Sequence, residues 1–388
     1  RQTLTDFRFR GATLLFLQSL LNSIFCHTTG VILPNPDPKA IQRVRQLCEY
    51  FYKLAISLDK EKENEAISAF IKNEEELEAL SKDRDAIAYA NLLRKDFETY
   101  YKDISSKHVH EILAAHPPRK TSGTFVDSDS MYFLHRVSTV NRKFLGTFNA
   151  YKGYYKPYKG ISRRSIKLRP AVEPNFSELL LVPKDSRGPR TICRESLKRL
   201  ETQMAYFDFM CKSLTCISNG AINFLDQEVN RDLARLGSES RYWATLDLKD
   251  ASDRVSYKLV SEIFRNSPGV SFFLRNARAE FVKVKGSIRR LHKVAGMGSG
   301  LTFPTMSLIA SLAICHEVRK VFPHISYNDV RKSVFVYGDD IIVPRNWYDC
   351  ALRGLSKIGL KVNIAKSFVR SHFRESCGAD FYDGSDVS

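Results

Sequence analysis

Four consecutive residues, Tyr337-Gly338-Asp339-Asp340, set two carboxylates beside a glycine between the short apolar runs Val334–Tyr337 and Ile341–Val343. Such runs suit strands, and Gly at the first position of a two-residue link suits a tight hairpin, so both acids belong at a hairpin tip. As plain structure a Gly-Asp turn with a solvated second Asp is ordinary. The pair gains chemical meaning when a further acid reaches it from another strand. The segment Thr245-Leu246-Asp247-Leu248-Lys249-Asp250-Ala251-Ser252-Asp253 offers one. Its apolar start reads as a strand that ends near Leu248, presents Asp247 and turns into a helix whose buried face is marked by Val255, Leu259 and Ile263. In-line phosphoryl transfer with two cations needs carboxylates from separate elements to hold Mg²⁺ ions about 4 Å apart. One ion activates the attacking hydroxyl and the other neutralises the leaving pyrophosphate. Asp247 and Asp339 fit that task, with Asp340 in support, and Mn²⁺ suits the same oxygens. Asp253 has two readings: an acid stabilising the first helical turn, or a contact to a nucleotide ribose.

The elements that must hold these groups change in texture along the chain. From Ala40 to Phe97 the pattern is helical, with Val44, Leu47, Cys48 and Phe51 at helix spacing, then Ile67, Phe70, Ile71, Leu77 and Leu80 among many charges. The acids Glu74, Glu75, Glu76 and Glu78 read as a solvated helix face. Between Asn141 and Pro170 the chain is basic throughout, and Lys152, Lys156, Arg163 and Arg164 alternate with Tyr151, Tyr154, Tyr155 and Tyr158. Cations for phosphates interleaved with flat rings for bases are what a single-stranded nucleic-acid groove needs. A solvated loop with tyrosines packed on the core is the plainer alternative. After Pro174, short strand-like runs (Leu179–Val182 and Trp243–Leu248 besides the two above) alternate with helical stretches, which gives an α+β class.

Bulk properties agree. The chain has 388 residues, 43% of them hydrophobic, enough for a large core built from several subdomains. Lys and Arg outnumber Asp and Glu by 60 to 43, a net charge of +17 that suits a polyanionic partner. The 25 Phe and 17 Tyr exclude a disordered basic arm. Eight scattered cysteines without a Cys-x-x-Cys pair read as reduced core thiols. The apolar stretch Ala12–Phe25 is interrupted by Gln18, Ser19, Asn22 and Ser23, so we expect neither a signal peptide nor a membrane span.

The segments around Asp247 and Asp339-Asp340 resemble motifs A and C of viral RNA-dependent RNA polymerases, and more closely the replicase catalytic subunit of single-stranded RNA bacteriophages. Other stretches agree in order. Gly296-Met297-Gly298-Ser299-Gly300-Leu301-Thr302-Phe303 resembles motif B, a glycine loop that places template and incoming ribose; a dinucleotide-binding fingerprint fails because its third glycine would fall on Leu301. The motif B helix lacks the usual Asn, which leaves Ser299 or Thr302 for the ribose or template contact, with Gly298 and Gly300 beside the RNA. Lys184, Arg187 and Arg190 resemble motif F, whose cations bind the triphosphate; by chemistry alone they form a basic surface turn. Lys366 resembles the motif D general acid for pyrophosphate, with Lys361 as its rival. Phe373-Arg374-Glu375-Ser376-Cys377-Gly378 is similar to the segment near the growing 3′ end, and Asp226-Gln227 with Asn230 also follows the phage pattern.

The resemblance implies a right-hand polymerase in which residues 1–140 form a helical N-terminal and fingers region and 141–196 a basic fingers segment. An antiparallel palm sheet backed by helices would span 197–253 and 294–388, with 254–293 as a fingers insertion. The chain ends soon after the palm, so a truncated thumb is expected. The implied activity is RNA-templated RNA synthesis from NTPs in the cytoplasm of a bacterial host. RNA template and product are the expected partners, with host elongation factors Tu and Ts and a ribosomal protein, and no membrane. A reverse transcriptase and a catalytically incomplete RNA-binding fragment are the alternatives; Asp253 and Gly338 favour RNA synthesis.

Overall fold

Three of the expected strands, those at Trp243–Leu248, Val334–Tyr337 and Ile341–Val343, lie in one four-stranded antiparallel sheet with helices on both faces. Its order is Lys361–Val362, Trp243–Lys249, Asp340–Pro344, Phe335–Tyr337. Successive side chains of a strand point to opposite faces. Ile341 and Val343 accordingly enter the main core with Leu246, Met306, Ile309 and Leu312, whereas Ile342 joins Ala234, Ala379 and Phe381 on the other side. The computed structural model describes residues 9–10, 13–14, 17–50, 60–119, 176–185 and 188–388.

Beneath one face runs the helix Thr302–Val321, buried around most of its circumference from Thr302 to Val318, as expected of a helix that is apolar on all sides. Against the other lies Glu228–Ser240. A second sheet has the order Gly188–Arg194, Phe176–Asp185, Phe281–Val284, Ser287–Arg290, with the middle pair parallel. It closes over a smaller core of Phe70, Cys193, Val282, Val284 and Leu291. A third, antiparallel sheet comprises Phe373–Ser376, Ala379–Tyr382 and Ser385–Asp386. The α+β class therefore holds, with sheets that are antiparallel apart from one parallel pairing.

The helical reading of residues 40–97 resolves into Pro38–Tyr50, Lys60–Lys82 and Arg84–Tyr100. The last starts at Asp83, whose side chain accepts from the backbone of Asp85 and Ala86, satisfying donors that a helix start leaves open. Tyr89, Leu93 and Phe97 share the main core with the central sheet, so this helix is built into the fold. On Pro38–Tyr50, by contrast, Leu47 and Cys48 are exposed.

Two expectations need correction. The cluster Glu74, Glu75, Glu76 and Glu78 is not wholly a solvated face: Glu75 is exposed, but Glu74 is buried, and Glu76 binds Arg254 and Lys361 at 2.8 Å each. Only the approach of distant cations makes this favourable. Nor are the thiols uniformly in the core, because Cys48 and Cys216 are exposed while Cys193, Cys315, Cys350 and Cys377 are buried.

Candidate active site

Strand register brings the acids together. Asp247 stands directly opposite Asp340 on neighbouring strands, and Tyr337 pairs with Asp340, leaving Gly338 and Asp339 as a two-residue turn. Gly338 has φ +65°, the positive value that primed hairpin turns require of their first residue. A Cβ there would also sit 2.2 Å from the Phe303 ring, so the turn needs glycine on two counts. Asp339 is exposed at the tip, and Asp247 and Asp340 are half-buried behind it.

Packing three acids into this corner has an electrostatic cost. Burial, then Asp339, Asp247 and Glu375, push the Asp340 carboxyl up to about 6. Burial also raises Asp247, against the opposing pull of Asn363 and Lys366. The protein's own cations leave the cluster under-compensated, as expected where an external cation is to bind.

A tight scaffold fixes the same residues. Asn363 Nδ2 donates to Asp247 Oδ2 at 2.8 Å, the Asn363 backbone N–H to the Asp247 carbonyl at 2.8 Å, and the Asp247 N–H to Ser367 Oγ at 3.2 Å. Ser376 Oγ reaches Asp340 Oδ1 and Asn230 Nδ2 reaches the Asp340 carbonyl, each at 3.4 Å. Asn230 is fully buried and its Oδ1 has no partner. Lys366 binds Glu375 at 3.2 Å within electrostatic reach of Asp247, whereas Lys361 is turned toward Glu76 on Lys60–Lys82, the long helix of the N-terminal region.

One residue of the Phe373–Gly378 segment supports the site in a way that sequence reasoning does not assign. Arg374 is completely buried and donates to the carbonyls of Trp243, Ser371, Phe373 and Val369 at 2.6–3.0 Å. Burial, with Arg345 and Arg241 adding repulsion, brings its pKa down to about 10. It fastens the Phe373–Tyr382 hairpin to the strand that bears Asp247.

The glycine loop lies against the second sheet. A Cβ on Gly296 would meet Cys193 Sγ at 2.4 Å, and the Cys193 N–H donates to the Met297 carbonyl at 3.0 Å. Gly298 is exposed, and the Gly300 N–H is held by Gln203 Oε1 at 3.1 Å. The Ser299 and Thr302 hydroxyls are buried: Ser299 Oγ accepts from the Leu301 N–H, and Thr302 Oγ1 donates to the Ala295 carbonyl at 3.1 Å. Lys184 and Arg190 are exposed on adjoining strands. Asp253 binds Lys293 at 2.8 Å and accepts from Thr191 Oγ1 at 3.4 Å, so it does not act as a helix cap. Lys152, Tyr154, Tyr155, Lys156, Arg163, Arg164 and Arg187 lie outside the described residues.

Among the described residues no group of three or more His, Cys, Asp or Glu side chains is arranged to hold a metal ion as it stands. The acids instead form an open, all-oxygen donor set whose mutual repulsion a hard divalent cation would relieve, and in that chemical sense they fit one. Such a set, on adjacent strands beside a glycine loop, suits phosphoryl transfer.

Residues 56–388 match the family model for the RNA replicase beta-chain, and the chain belongs to that family. It is 34% identical over 209 residues to the RNA-directed RNA polymerase beta chain of Enterobacteria phage GA, which takes in 54% of this chain and 37% of that one. It is likewise 34% identical over 206 residues to the beta chain of Escherichia phage MS2 (53% and 36%) and over 219 residues to the subunit beta of Escherichia virus Qbeta (55% and 34%). The matched part thus spans about a third of the length of these relatives. No helix among the described residues is long and apolar enough to cross a membrane.

Proposed function

We propose that this chain carries the catalytic centre of an RNA-directed RNA polymerase that copies a phage RNA genome in the cytoplasm of its bacterial host. The observation that carries this reading is the register of Asp247 against Asp340, with Asp339 at the adjoining tip. Family membership and the named activity of the relatives support it. Asp247, Asp339 and Asp340 hold divalent cations, Mg²⁺ and two in number. Bound there, the cations supply Lewis-acid stabilisation at the attacking 3′-hydroxyl and the leaving pyrophosphate.

The chain's own residues do the rest. Lys184, Arg187 and Arg190 bind the NTP triphosphate, and the Gly296–Phe303 loop seats template and ribose. Lys366 holds a proton at Nζ for the pyrophosphate, and its place beside Asp247 favours it over Lys361. In this reading the central sheet is the palm. The sheet uniting residues 176–194 with 281–290 belongs to the fingers, and the basic 141–170 segment guides RNA. Host elongation factors Tu and Ts and a ribosomal protein complete the enzyme.

The test is template-directed incorporation of labelled NTPs by the purified chain, alone and with host factors. Asp339→Asn is expected to lower incorporation by at least about a thousandfold while retaining RNA binding. Equal synthesis by that variant would remove the carboxylates from the mechanism, and preference for dNTPs would turn the reading to reverse transcription.

A further inference from the structure

Lys293 is one of the largest fully buried side chains of the molecule, and nothing in the mechanism above uses it. Its Nζ lies 2.8 Å from Asp253 Oδ1, 3.0 Å from Glu74 Oε1 and 3.6 Å above the centre of the Phe70 ring. Burial works against the ammonium, but Asp253 and Glu74 outweigh it, so the net shift is upward and the charge is kept. Glu74 is itself fixed, since its Oε2 accepts from the His292 N–H at 2.5 Å. A buried ammonium, an aromatic face and an anchored carboxylate thus enclose one oxygen of Asp253.

The other oxygen faces the second sheet. Thr191 Oγ1 donates to Asp253 Oδ2 from the residue next to Arg190, and the Asp253 side chain keeps 15% of its surface open. A carboxylate has about four acceptor sites, and these contacts use two. Lys is a donor only, so both Asp253 oxygens are presented as acceptors. A ribose 2′-hydroxyl can donate to such an oxygen, whereas a deoxyribose has nothing to offer it. The usual Asn of the motif B helix is missing, and the charged donor that reaches this acid is Lys293, three residues before the glycine loop.

We propose that Lys293, anchored by Glu74, is the positioning residue that sets Asp253 for recognition of the ribose 2′-hydroxyl, and that it thereby governs the choice of NTP over dNTP. The inference rests on the polymerase reading above. It also gives the helix Lys60–Lys82, through Glu74, a share in substrate selection.

The experiment compares NTP and dNTP incorporation by the full chain, its Lys293→Met variant, Asp253→Asn and the double variant. Lys293→Met is expected to raise KM for NTPs roughly tenfold with a smaller change in kcat, and to lower NTP/dNTP discrimination by about tenfold or more, the scale of a hydrogen bond to a charged group. Because Lys293 acts through Asp253, the two losses are expected not to add in the double variant. Should Lys293→Met fail to fold, Lys293→Met combined with Glu74→Leu replaces the buried ion pair with apolar groups, a change that often leaves stability intact. Discrimination at the original level in either folded variant, or additive losses, would overturn the proposal. If the unaltered chain with host factors incorporates neither nucleotide class, the polymerase reading fails instead.

Discussion

Two groups of carboxylates lie near one another in this molecule and meet opposite fates. Asp247, Asp339 and Asp340 are gathered by strand register, and their burial and mutual repulsion push Asp340 up to about 6. Glu74 and Glu76, on the helix Lys60–Lys82, meet Lys293, Arg254 and Lys361, and the last two hold Glu76 down at about 2. The functional group is the same, and what differs is whether the protein supplies the counter-charge. Where it does, the acid stabilises the fold; where it does not, the carboxylates are left repelling one another.

The sharpest way to break the contrast is to neutralise an acid of the first group and, separately, to remove a buried cation that the fold does use. Asp340→Asn is expected to abolish NTP incorporation, by about a thousandfold or more, while the thermal unfolding midpoint without metal stays the same or rises. A clear fall in that midpoint would mean that the acids are structural. Arg374→Met should act the other way, because four carbonyls lose the donor that a fully buried side chain supplies; a loss of about 3 kcal/mol or more in denaturant unfolding is expected. Next in size, Gly338→Ala should cost about 1–2 kcal/mol from its positive φ, more if the Phe303 ring cannot move, and slow incorporation by displacing the tip acids.

The smallest effect sharpens the comparison most. Glu76→Gln is expected to cost about 1 kcal/mol at neutral pH, since the pair with Arg254 is only partly open to water. Lys361 and Arg254 hold the folded pKa of Glu76 below the ordinary 4.5, so its contribution is complete above that value and vanishes as pH falls toward about 2. Unfolding midpoints of the two proteins should therefore converge on acidification across that window. A constant gap would show that the carboxylate's charge is irrelevant.

What was legible in the sequence follows from range. The hairpin, the strand–turn–helix after Asp247 and the buried Val255, Leu259 and Ile263 depend on neighbours a few residues apart, and periodicity reports them directly. Glu74 and Glu76 misled because their partners are far away in the chain: Arg254 by 178 residues and Lys361 by 285. A run of acids at helix spacing looks the same whether water or a distant ammonium faces it. Lys293 was silent for a related reason, since it looks like one more surface cation in a strongly basic chain; Arg374 falls within the Phe373–Gly378 resemblance, but nothing there marks it as buried. The sheet that unites residues 176–194 with 281–290 was equally hidden, because its parallel pairing of Phe176 with Phe281 leaves no turn signal.

The contact between Phe303 and Gly338 also bears on how such a sequence can change over time. Any side chain at 338 collides with the ring at 303, and that ring is wedged between Phe224 and Tyr337. Position 338 cannot drift alone: enlarging it demands shrinking the residue at 303 in the same step. The pair is an epistatic lock across two elements, and a mutational library that varied both together would lift the collision yet still meet the strain of the positive φ at 338.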